Sequence, residues 1–124
     1  MFYKRKEYFR YTFGEPLDAK FRIVIANNNG KESGLGTCSI IDLSPSGAKL
    51  FANYDIPLKG EPVKIHLEFT LNEVEIAVWG TLVWKKAYTS GYLYGFDTEE
   101  DEEKETLIVN ELKLRRRLET DSKK

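Results

Sequence analysis

Two polar clusters in this chain have the residue types to grip a ligand without transforming it. The first is Asp42-Leu43-Ser44-Pro45-Ser46-Gly47, set between two runs that read as strands. Asp42 accepts two parallel hydrogen bonds, Ser44 and Ser46 offer hydroxyls, Pro45 fixes its own φ, and Gly47 permits positive φ or close approach of a ligand to the backbone. Such a turn can hold one edge of a ligand. It is equally an ordinary hairpin turn, because Asp, Ser, Pro and Gly favour turns for local conformational reasons. The second cluster is N-terminal, where Tyr3, Lys4, Arg5, Lys6, Tyr8, Phe9, Arg10 and Tyr11 interleave cations with rings. Catalytic arrangements are missing from the sequence: no nucleophile has a base beside it, and no paired carboxylates stand out. His66 has no second histidine and no nearby cysteine pair with which to build a metal site, and it reads as solvent-exposed.

A small scaffold must position these residues. The chain has 124 residues with 41% hydrophobic and 13% aromatic content, enough for one core. Twenty acidic residues nearly cancel nineteen basic ones, so no global positive field attracts nucleic acid. Charge is nevertheless clustered: Lys4, Arg5, Lys6 and Arg10 at the start, an acidic run from Glu99 to Glu105, and Arg115 to Arg117. One cysteine, Cys38, excludes an intramolecular disulfide and fits a reducing compartment. Glu7, Arg10, Glu15 and Asp18 interrupt any signal or membrane-spanning run, so the expectation is a soluble, cytoplasmic chain without membrane insertion.

Residues 1–16 lack a clean period and contain Gly14 and Pro16, which predicts a basic arm leading into a single domain over 17–120. Strand alternation follows over 19–26, 37–42, 48–52 and 63–69. A long strand places Val74, Ile76, Val78, Gly80, Leu82 and Trp84 on one face, with Gly80 marking a bend. Residues 85–91 read as a loop, and Tyr92 to Asp97 as the last strand. Thr98 or Asp97 is expected to cap a helix with the acidic run in its first turns, Arg115 to Arg117 near its end, and an apolar stripe of Leu107, Ile108, Leu112, Leu114 and Leu118. About six strands joined mainly by short loops and closed by one helix predict a mainly β protein: an antiparallel barrel or strongly curled sheet with a C-terminal α-helix.

These residues also carry a resemblance. Lys6-Glu7-Tyr8-Phe9-Arg10, preceded by Arg5, is similar to the Arg-x-x-x-Arg motif of the PilZ domain family, and Asp42-Leu43-Ser44-Pro45-Ser46-Gly47 fits that family's Asp or Asn-x-Ser-x-x-Gly motif. The closing Tyr94-Gly95-Phe96 strand before a helix resembles it as well. The resemblance implies a six-stranded barrel that binds the bacterial second messenger cyclic di-GMP as a non-catalytic receptor. It needs no further cofactor and relays the signal to a protein partner. It also implies that Arg5, Lys6, Arg10, Asp42, Ser44 and Gly47 hold the ligand. The chemistry fits: an arginine fork matches a phosphate or the guanine O6 and N7 edge in two parallel bonds, and Asp42 can accept from N1 and N2. Lys6 departs from the pattern, since lysine keeps the charge but loses the planar fork, which predicts weakened binding unless Arg5 takes its place. Trp84 has two open readings, as a lid bordering the guanine or as a core residue sharing a face with Val78 and Leu82. The alternatives are a PilZ-like adaptor that has lost nucleotide binding and, from another class, a barrel that stacks single-stranded nucleic acid on its aromatic rings.

Overall fold

The computed structural model describes residues 10–25, 31–32, 35–58 and 63–122. Seven strands and one helix follow in order: β1 Tyr11–Ile25, β2 Lys31–Glu32, β3 Gly36–Ser44, β4 Gly47–Ala52, β5 Val63–Leu71, β6 Val74–Tyr88, β7 Gly91–Thr98 and α1 Glu102–Ser122. Six of the strands close an antiparallel barrel in the order β1-β3-β4-β7-β6-β5, and β1 pairs with β5 to complete the ring. The two-residue β2 adds only a short pairing at the far end of β1. Closure leaves no open edge among these six strands.

Alternation in the sequence becomes inside and outside of the barrel. Ile40, Leu50, Ile65, Leu67, Ile76, Leu82, Tyr94 and Phe96 fill the interior, which is the main favourable term in folding. Cys38 joins them, and burial pushes its thiol up to about 12. His66, expected in solvent, is half-buried: its ring lies 4.4 Å from that of Trp79, and Nδ1 is 3.4 Å from Glu68.

Three expectations for the strands change. The first barrel strand begins at Tyr11, with Tyr11 and Phe13 in the core, and not after Pro16. Gly14 and Pro16 do not end the strand because they fall in a register shift between Thr12 and Leu17, where a missing N–H costs no ladder bond. Residues 85–88 extend β6 and only the Thr89-Ser90 turn separates it from β7. Gly80 keeps regular pairing with Ile65 and Thr98, and the irregularity in β6 lies between Leu82 and Trp84.

The helix cap is Asp101, whose Oδ1 accepts from Lys104 N at 3.2 Å, and neither Thr98 nor Asp97. Glu102, Glu103 and Glu105 occupy the first turn as expected, but α1 continues to Ser122, so Arg115 to Arg117 do not lie in the last turn. Ile108 and Leu112 are buried, whereas Leu118 is 49% exposed. Asn72, at φ 52° in the β5–β6 turn, donates from Nδ2 to the Glu111 carbonyl at 2.7 Å, and the Arg115 guanidinium sits 5.4 Å from the Phe13 ring centre. The helix is thus fastened to the barrel at several points. No described helix is long and apolar enough to cross a membrane.

Candidate ligand-binding cleft

One row of residues crosses four strands of the barrel wall. Asp42 on β3 is the Cα partner of Lys49 on β4, Lys49 of Gly95 on β7, and Gly95 of Trp84 on β6. Arg10, immediately before β1, meets the row at its first member. Together these residues border an open depression of about 310 Å³.

Two bulges create the row. The β3–β4 register shifts between Ile40 and Asp42, and the β6–β7 register shifts between Leu82 and Trp84. An extra residue in one strand turns the next side chain to the other face. Ile40 and Leu82 therefore point into the barrel, while Asp42 and Trp84, of the same parity, border the cleft. Trp84 is 43% exposed and borders the depression, so it is not a core residue. Its indole lies directly over Gly95, where any Cβ would collide with Nε1.

Asp42 is only 6% exposed, and a buried carboxylate requires compensating charge. Arg10 supplies it through an ion pair from its guanidinium to Oδ1, and Lys49 Nζ stands 3.8 Å from Oδ2. The carboxylate is thus oriented and held between two cations at the mouth of the depression.

Ser44 and Gly47 play a different part. Ser44 is fully buried, its Oγ donating to the Gly47 carbonyl and accepting from Ser46 N, both at 3.3 Å. A Cβ at Gly47 would strike the Phe96 carbonyl of β7. These two residues shape the turn that carries Asp42, and neither borders the depression. Arg5 and Lys6 lie outside the described residues. Of the seven sequence-derived candidates, the structure brings Arg10, Asp42 and Trp84 around one cleft and keeps Ser44 and Gly47 in the frame behind it.

Lys49 and Gly95 are cleft residues that reading the sequence for ligand chemistry passed over. Lys49 had a signal, alternating with buried Ala48 and Leu50 next to the turn. Gly95 had one too, since a glycine inside a strand often marks a site of close approach. Among the described residues no group of three or more metal-binding side chains occurs.

The model of the PilZ domain family matches residues 4–114. The chain belongs to the PilZ domain family, a family of cyclic di-GMP receptors. Among solved structures, the chain resembles the PilZ domain of CeSA from a cellulose-synthesising bacterium, with a TM-score of 0.56 at 18% identity over 82% of this chain and 91% of that one. At that identity the likeness speaks for the fold. No curated protein matches.

Proposed function

We propose that this domain is a cyclic di-GMP receptor that works in the bacterial cytoplasm and relays the level of the messenger to a protein partner. The observation that carries the reading is the meeting of Arg10, from the first family motif, with the Asp42 carboxylate, from the second, at a cleft floored by Gly95 and bordered by Trp84. A guanine placed there stacks on the exposed indole and offers its N1 and N2 donors to Asp42. Arg10 then turns from the carboxylate to a phosphate or to guanine O6 and N7, and Lys49 keeps Asp42 from being left unpaired. Arg5 and Lys6 add charge from the preceding arm.

Binding needs only recognition here, so the reading involves no catalysis. The near balance of charge disfavours the alternative of single-stranded nucleic acid, whose binding rests on phosphate neutralisation.

Calorimetric titration with cyclic di-GMP, with GTP and a short single-stranded oligonucleotide as controls, tests the reading. The expected affinity is about micromolar, roughly −8 kcal/mol. Absence of heat near millimolar ligand overturns it and favours an adaptor that acts through protein contacts alone. Lys6→Arg tests the arm: several-fold tighter binding assigns Lys6 to the first arginine's place, whereas no change together with loss in Arg5→Ala assigns that place to Arg5.

A further inference from the structure

The outward face that carries the cleft continues down the same three strands. Below the row of Lys49, Gly95 and Trp84 comes a second row, Phe51 on β4, Leu93 on β7 and Lys86 on β6, and below that Gly91 faces Tyr88. Side chains two apart on a strand share a face. Trp84, Lys86 and Tyr88 therefore point the same way, beyond the bulge that turned Trp84 outward. The ring contact between Phe51 and Tyr88, with centroids 6.0 Å apart at 74°, puts Tyr88 on the Phe51 side of the sheet. A Cβ at Gly91 would meet the Ala52 carbonyl and the Phe51 ring, so it is Phe51 that covers this glycine, and Tyr88 packs edge-on against Phe51 beside it. Tyr88 is 49% exposed.

The face thus holds two aromatic platforms, Trp84 and Tyr88, four residues apart on one strand and so about 13 Å apart along it. Lys86 stands between them, and Lys49 lies across Gly95 from the upper one. Such a pattern suits a ligand with two planar bases on opposite sides of an anionic ring, because each base finds a ring to stack on and the phosphates face the lysines. We infer that Tyr88 and Lys86 form a second subsite for the distal guanine and the adjoining phosphate of a cyclic dinucleotide whose first guanine sits against Asp42 and Trp84. This rests on the receptor reading above and extends it to the stretch of sheet below the cleft.

Titration of cyclic di-GMP into the intact domain and its Tyr88→Ala, Tyr88→Phe and Lys86→Ala variants tests the subsite, with far-UV circular dichroism confirming the fold of each. Tyr88→Ala is expected to weaken binding about 5- to 30-fold, the size of one lost base–aromatic stack. Tyr88→Phe should bind like the parent. Lys86→Ala should weaken binding and flatten its dependence on salt. If the parent binds while Tyr88→Ala and Lys86→Ala titrate identically to it, the subsite is overturned and the receptor reading stands. A parent that shows no binding overturns both together.

Discussion

Arg10 and Lys49 hold the same carboxylate from two sides, Arg10 on Oδ1 and Lys49 at 3.8 Å from Oδ2 of Asp42. Asp42 is therefore already paired, and a guanine that uses it must replace Arg10. Arg10→Ala is expected to weaken cyclic di-GMP binding by about 1.5–3 kcal/mol and to reduce its salt dependence, since it removes a charge-assisted contact. Asp42→Ala should weaken binding while leaving the salt dependence intact or steeper, because it removes base recognition and a repulsive charge at once. Titrations at two ionic strengths separate the two variants, and equal salt slopes would contradict the division of labour.

Gly95→Ala probes the platform. The new methyl group collides with the Trp84 indole, which is free to swing outward because solvent covers much of it. The expected result is a folded domain, destabilised by about 1–3 kcal/mol, whose ligand affinity falls as the platform is lost. Tryptophan emission in a Trp79→Phe background reports the change: ligand should alter Trp84 fluorescence in the parent and leave it nearly unchanged in Gly95→Ala.

The turn residues should behave as structure. Ser44→Ala removes a buried hydroxyl that bridges the Gly47 carbonyl and Ser46 N, which costs about 1–3 kcal/mol of stability. Gly47→Ala forces a methyl group into the backbone of β7 and should cost more, because no flexible side chain is there to yield. Thermal melts are expected to fall by several degrees for the first and further for the second. Affinity measured well below the melt should fall less for Ser44→Ala than for Asp42→Ala. The reverse order would make Ser44 a direct ligand contact.

Cys38 supplies a check on the barrel interior. Burial raises its thiol to about 12, above the value it has in an unfolded chain. In the folded state the thiol then binds its proton more tightly, so its contribution to stability is complete below the unfolded value and is lost as pH rises toward 12. Denaturant melts should show stability declining over that alkaline window, less steeply in Cys38→Ala. At pH 8 a thiol reagent should modify Cys38 only at the rate of unfolding, and fast labelling of the native protein would contradict a closed barrel.

Period-two alternation over Val63 to Phe69 and from Val74 onward made the strands legible, because a side chain that alternates between core and water leaves that alternation in the residue types themselves. The acidic start of α1 was legible for a similar local reason, since carboxylates favour the positive end of a helix dipole. Asp42, Ser44 and Gly47 could be singled out because turn chemistry is local. What they do could not be assigned one by one: whether a hydroxyl faces a ligand or the turn's own carbonyl depends on burial, and Ser44 proved fully buried.

The sequence by itself determined a mainly β domain with one C-terminal helix, the two motifs and the core-facing stripes, all of which depend on neighbours within a few positions. Tertiary structure alone decided where β1 begins, which way Trp84 points and which residues share the cleft. A bulge is a relation between paired strands. One extra residue beside Ile40 or Leu82 inverts the parity of everything after it, so Asp42 and Trp84 turn to the outer face of the barrel only because β4 and β7 pair with their strands at the registers observed.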